Sequence, residues 1–153
     1  MLRVELAEPT QEDLELVARE MREADSAETE REGYADPLAA LEYSVKSADY
    51  SLVARIQGKP LAMFGLTEHG LLSQTGSPWI LSTKLVAAHP VAFMKAAKVI
   101  VDSMQEKCPR GLWAIIDREY LKSIEWVKRL GFVVIREMPH PTTGEIFVLV
   151  WRH

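Results

Sequence analysis

Glu68 and His69 are neighbours, a carboxylate next to an imidazole, and either could take a proton from a nucleophile within its reach. No third residue is placed to orient them, so the competing reading is a solvated pair in a loop. His89 stands before Pro90 and suits a helix cap whose ring bonds a main-chain donor, with a base or a phosphate contact as its other readings. His140 falls in a turn and His153 ends the sequence, so the four histidines are too scattered for a metal site. Cys108 is the only cysteine, which excludes an intramolecular disulfide and a cysteine-based zinc cage. A lone thiol reads as a small buried hydrophobe rather than a nucleophile. GxGxxG, GxxxxGK[ST] and GxSxG are all absent, and simple dinucleotide, P-loop and hydrolase-elbow readings go with them.

The elements that would position these groups fit one domain over residues 1–153, about half of them apolar. No stretch has the roughly 18 apolar residues of a membrane span, and the charged start "MLRVELAEPT" does not read as a signal peptide. A soluble, cytoplasmic protein is expected. Net charge is −4, unevenly spread: residues 1–36 hold twelve acids and four bases, the remainder ten acids and fourteen bases. The acidic third argues against coating nucleic acid, and "READSAETEREG" reads as the solvated face of a helix and its loop, or as a docking surface for a basic partner.

A first strand is expected around Leu2 to Leu6. Thr10 with Asp13 three residues on resembles a capping box, and Leu14, Val17 and Met21 share a face of the helix that follows. A loop over Ser26 to Tyr34 leads to Asp36-Pro37, a cap and first-turn proline for a second helix with Leu38, Leu41 and Val45 inward. From Tyr50 the period is two, and "QGKP" turns one strand into "LAMFGL". The loop "HGLLSQTGSP" precedes a short strand "WILST". Phe93, Ala97, Ile100, Val101 and Met104 mark a third helix; "LWAII" is a buried strand; and 118–130 is a fourth helix with Leu121, Ile124, Val127 and Leu130 inward. Gly131 suits the left-handed stop before "FVVIRE", a turn at "PHPTTG" and "IFVLVW". The fold class is therefore α/β (α+β), with a right-handed crossover and a parallel strand pair. Trp79, Trp113, Trp126 and Trp151 read as core or partner interface.

This order, with a helix ending in "RLGF" before a terminal hairpin, resembles the GNAT superfamily of CoA-dependent N-acyltransferases. The resemblance implies a mixed, mostly antiparallel sheet of about seven strands with a splayed parallel pair and four helices, acyl-CoA entering the gap, and a helix N-terminus facing its pyrophosphate. Trp79, His89, Pro90, Phe93, Ser123, Ile124, Trp126, Leu130, Gly131 and Phe132 also resemble a phage-encoded GNAT-like family that includes the small internal virion protein of short-tailed phages.

The same resemblance puts a CoA contact, if there is one, at Leu85, Val86, His89, Val91, Ala92 and Phe93, and makes Glu68 or His69 the base for an amine. Active members carry a Gln/Arg-x-x-Gly-x-Gly/Ala turn whose bare main chain approaches the pyrophosphate; here "AAHPVAFMKA" has no glycine, and Pro90 removes a donor. Phe93 and Met94 are expected to fill the cofactor's space. Many members carry a tyrosine four residues before the glycine of "GF", where this chain has Val127; Tyr120 stands where many have asparagine, and its ordinary role is packing. The expectation is a phage-type GNAT-fold module, virion-associated and packaged in the particle or interacting with a host protein, that lacks the usual pyrophosphate loop and takes no cofactor. The alternative is an active acetyl-CoA-dependent N-acetyltransferase. A homo-oligomer is compatible with either.

Overall fold

The computed structural model describes residues 3–31, 33–141 and 143–153. Leu2 of the expected first strand, Glu32 of the expected loop and Thr142 of "PHPTTG" lie outside the described residues. Five α-helices and seven strands are formed among the described residues, the strands hydrogen-bonding in the order β1-β2-β3-β4-β5-β7-β6. β1 with β2, β2 with β3, β5 with β7 and β6 with β7 pair antiparallel, and β4 with β5 pair in parallel. The chain forms two compact units, residues 1–67 with 79–96 and residues 68–78 with 97–153.

In the first unit β1 (Val4–Ala7) pairs with β2 (Tyr50–Ile56), and β2 turns into β3 (Lys59–Glu68) through Gln57 and Gly58 at φ 52 and 76. Two consecutive positive φ values match the right-handed twist of the flanking strands, the reason such tight turns recur. The capping box forms at the head of α1 (Gln11–Arg19): the Thr10 N–H donates to Asp13 at 2.8 Å and the Asp13 N–H to the Thr10 hydroxyl at 3.2 Å. Asp36 caps α3 (Pro37–Ser47), with Pro37 in the first turn. Leu14, Val17 and Met21 pack with Leu41, Val53 and Met63 into one core. Met21 reaches it from beyond the end of α1, through a bridge to Thr83.

The stretch read as a loop from Ser26 is helical through Arg31, forming α2 (Glu23–Arg31) and raising the helix count from four to five. Nor is the acidic run all solvated: Asp25 and Thr29 are buried. Asp25 accepts from the Ser82 N–H at 2.9 Å, the Ser82 hydroxyl at 2.8 Å and Arg22 at 3.0 Å. A carboxylate with three donors in place can be buried, and it ties this helix to the chain at Ser82.

Strand β4 (Thr75–Ser82) starts four residues before the expected "WILST", and α4 spans Pro90–Lys107. In the second unit, β4 pairs in parallel with β5 (Gly111–Asp117) at Thr75↔Gly111 and Gly76↔Leu112. One residue later a side chain replaces the ladder, the Ser77 hydroxyl donating to the Trp113 carbonyl at 2.9 Å. Pro78, with no N–H, follows. The inward positions Ala97, Ile100, Val101 and Met104 of α4 are buried. The final helix, α5, is Leu121–Arg129, shorter than 118–130, and Leu121 is 74% exposed rather than inward. It ends as expected: Phe132 N–H reaches the Val127 carbonyl at 3.0 Å and Gly131 N–H that of Lys128 at 3.1 Å, with Gly131 at φ 97. β6 (Val133–Pro139) and β7 (Ile146–Arg152) close the chain. No helix among the described residues is long and apolar enough to cross a membrane.

Candidate functional site

Residues 82–93, in the first unit, run from the end of β4 into α4, and their main chain is heavily committed. The Ser82 carbonyl accepts from Arg22 N–H at 2.8 Å, Thr83 N–H donates to Leu61 at 3.0 Å and Lys84 N–H to Glu20 at 2.9 Å. Thr83, buried, places its hydroxyl 3.0 and 3.1 Å from the Pro60 and Leu61 carbonyls and accepts from Leu85 N–H at 3.3 Å. A 3₁₀ turn over Lys84–Ala88 then closes its own short bonds. Val86 N–H returns to Thr83, His89 N–H to Val86 at 3.1 Å, and Phe93 N–H to His89 at 3.0 Å.

Helix starts bind anions through N–H groups their own turn leaves unused. Pro90 has none, and Phe93 has spent its donor, so Val91 and Ala92 hold the two left in the first turn. Most main-chain donors of this stretch therefore face the protein itself.

Of the residues expected to touch CoA, Leu85, His89 and Ala92 are half-buried, Val86 is buried and Val91 is 66% exposed. Phe93 belongs to the core. It is 1% exposed and stacks on Phe64 of β3 with ring centres 6.3 Å apart, because the first inward position of α4 faces the sheet. The His89 ring forms no hydrogen bond among the described residues; its carbonyl starts the helix instead.

Glu68 and His69 belong to the second unit, so the two sets of candidates fall in different units. Glu68 ends β3, exposed. His69 donates its N–H to Thr75 at 3.0 Å, at the start of β4, and its ring stacks on Trp113 with centres 5.2 Å apart. The Trp113 stack is a contact of His69 that residue order does not reveal. Tyr120 is half-buried just before α5, its N–H on Asp117 and its carbonyl on Ile124. Val127 is half-buried, Cys108 is 1% exposed, and no cluster of metal-binding side chains occurs among the described residues.

Solved structures align with nearly the whole chain. A chimera of Vibrio cholerae spermidine N-acetyltransferase SpeG with hSSAT matches with a TM-score of 0.74 at 13% identity, covering 97% of this chain and 94% of that one. A GNAT-family acetyltransferase from Bacillus anthracis gives 0.72 at 12% identity, over 99% and 97% of the two chains. Ard1 from Thermoplasma volcanium gives 0.71 at 14%, over 97% and 96%. The chain has the GNAT acetyltransferase fold. No family model matches it, and no curated protein matches it by sequence. Within this GNAT fold the residues that sequence reasoning missed are Asp25, Ser82 and Thr83, which hold the end of β4 and the turn after it. Their signal was faint: an acid inside a helix of acids, and two hydroxyl residues ending an apolar strand.

Proposed function

We propose that this chain, as one GNAT-like domain, works by binding another protein and does not carry out acyl transfer from CoA. The observation that carries the proposal is the donor shortage at residues 84–93: Lys84, Leu85, Val86, His89 and Phe93 spend their N–H groups within the protein, and Pro90 has none. The finer setting, a virion or a host-cell partner of a phage protein, draws on the motif from Trp79 to Phe132 alone. No cofactor enters this reading. The test is a thermal-shift titration with acetyl-CoA, in which the midpoint stays constant; a rise that grows with ligand concentration overturns it, since a ligand that binds the native state stabilises it by mass action.

A second reading, an active acetyl-CoA-dependent N-acetyltransferase, is favoured by the uncommitted N–H groups of Val91 and Ala92 at the start of an 18-residue helix. The acetyltransferase activities named for the similar structures agree with it. Glu68 or His69 would then be the base. Thiol release from acetyl-CoA on a panel of amines, lost in Glu68→Gln or His69→Ala with the fold intact, establishes that reading and removes the first.

A further inference from the structure

We propose that a half-open sheet face of the second unit docks a second protein, and that it takes an apolar segment flanked by carboxylates. The inference rests on reading the chain as an interaction module. The register sets Trp113 opposite Trp151 and Trp151 opposite Val133, so three strands put these side chains in one row on one face. The next row on that face sets Ile115 opposite Leu149 and Leu149 opposite Arg136. The tryptophans are half-buried, Ile115 is 39% exposed and Val133 57%. Beside Trp113 stacks His69, and the loop after it holds Leu71 and Leu72 at 95% and 93% exposure.

That loop is tied down. Ser73 donates from its hydroxyl to the His69 and Gly70 carbonyls, Gln74 is held at φ 53, and the Gln74 carbonyl accepts from Arg110 N–H at 3.0 Å. Leucines on a fixed loop lose little freedom when a partner covers them, and tryptophans are common anchors of such surfaces. Charge selects the partner. Of the unit's arginines, Arg118, Arg129 and Arg152 each hold a carboxylate of the same chain. Arg110 and Arg136 hold none among the described residues, and these two adjoin the leucine loop and the Ile115 row. Glu68 is the acid nearest in sequence to that loop. Asp117, next on that face, is buried and accepts from Glu119 N–H at 2.9 Å, so the exposed charge in these rows is that of Arg136, which carboxylates on a partner complement.

A random-peptide library panned on the wild-type chain tests this directly. Enriched peptides should combine leucine or aromatic residues with aspartate or glutamate. They should bind about tenfold or more weakly to Leu71→Ser/Leu72→Ser and to Arg110→Glu/Arg136→Glu, variants that alter exposed side chains and keep the wild-type Tm. Basic peptides, peptides indifferent to both variants, or no enrichment overturn the inference. So does a dimer in sedimentation velocity that Leu71→Ser/Leu72→Ser abolishes, because the occupant is then a second copy. Stabilisation by acetyl-CoA alongside intact peptide selection would remove the non-catalytic reading and leave the docking face; failed selection without CoA binding would remove the face alone.

Discussion

A Cβ on Gly131 would stand 3.0 Å from Nε of Arg152, the nitrogen that donates to the Leu130 carbonyl at 2.8 Å. Arg152 also binds Gln105 at 3.1 Å and Asp102, so one β7 side chain joins the end of α5 to α4. The glycine stop therefore serves two ends: it takes the left-handed turn, and it leaves room for the guanidinium that caps the helix.

Gly131→Ala should lose about 1–2 kcal/mol from the left-handed conformation alone, and more if Arg152 shifts off the Leu130 carbonyl. Urea unfolding measures it; a change within about 0.5 kcal/mol would show that the position carries no strain.

Gly65→Ala should destabilise by about 1–3 kcal/mol, because a Cβ on this β3 residue runs into the indole of Trp79. Adding Trp79→Ala removes the clash, so the double variant should lose less than the two single losses combined. Additive losses in denaturant melts would refute the contact.

Asp13 sets an acid limit on stability. Burial works against its charge, but hydrogen bonds from Arg55 and Thr10 outweigh that and hold the carboxyl below its ordinary range. A lowered folded pKa means the contribution is fully present above the unfolded value, about 3.9, and is lost as pH falls through the folded one. Asp13→Asn should flatten the acid limb of a stability-against-pH curve below about pH 4 while costing about 1–3 kcal/mol at neutral pH, where Arg55 loses its buried carboxylate and keeps only Glu5 among the described residues. An unchanged acid limb would assign it to other carboxylates.

Asp25→Ala should cost about 1–3 kcal/mol, since it strips the Ser82 N–H and hydroxyl of their acceptor in the interior. Hydrogen exchange localises the effect: the Ser82 amide should lose protection. Retained protection there would mean that Arg22 N–H on the Ser82 carbonyl suffices to hold the segment.

What could be read in advance was what neighbours in sequence decide. The Thr10–Asp13 box, the Asp36 cap, the turn at Gln57-Gly58 and the stop at Gly131 each depend on partners within five residues, and all formed as expected. The inward spacing of α4 was equally plain, because a helix repeats its face at a fixed interval.

Tertiary structure decided the rest. Asp25 and Ser82 lie 57 residues apart, and only their meeting turns an acid of a charged run into a buried acceptor. Leu121 fits the helical pattern but is left exposed, because periodicity marks a face and not what covers it. At the proposed site the residue types alone revealed the missing glycine and the proline of α4. That Thr83 and Lys84 spend their N–H groups on Leu61 and Glu20 is encoded by no local pattern, whereas Leu85, Val86, His89 and Phe93 bond within four residues.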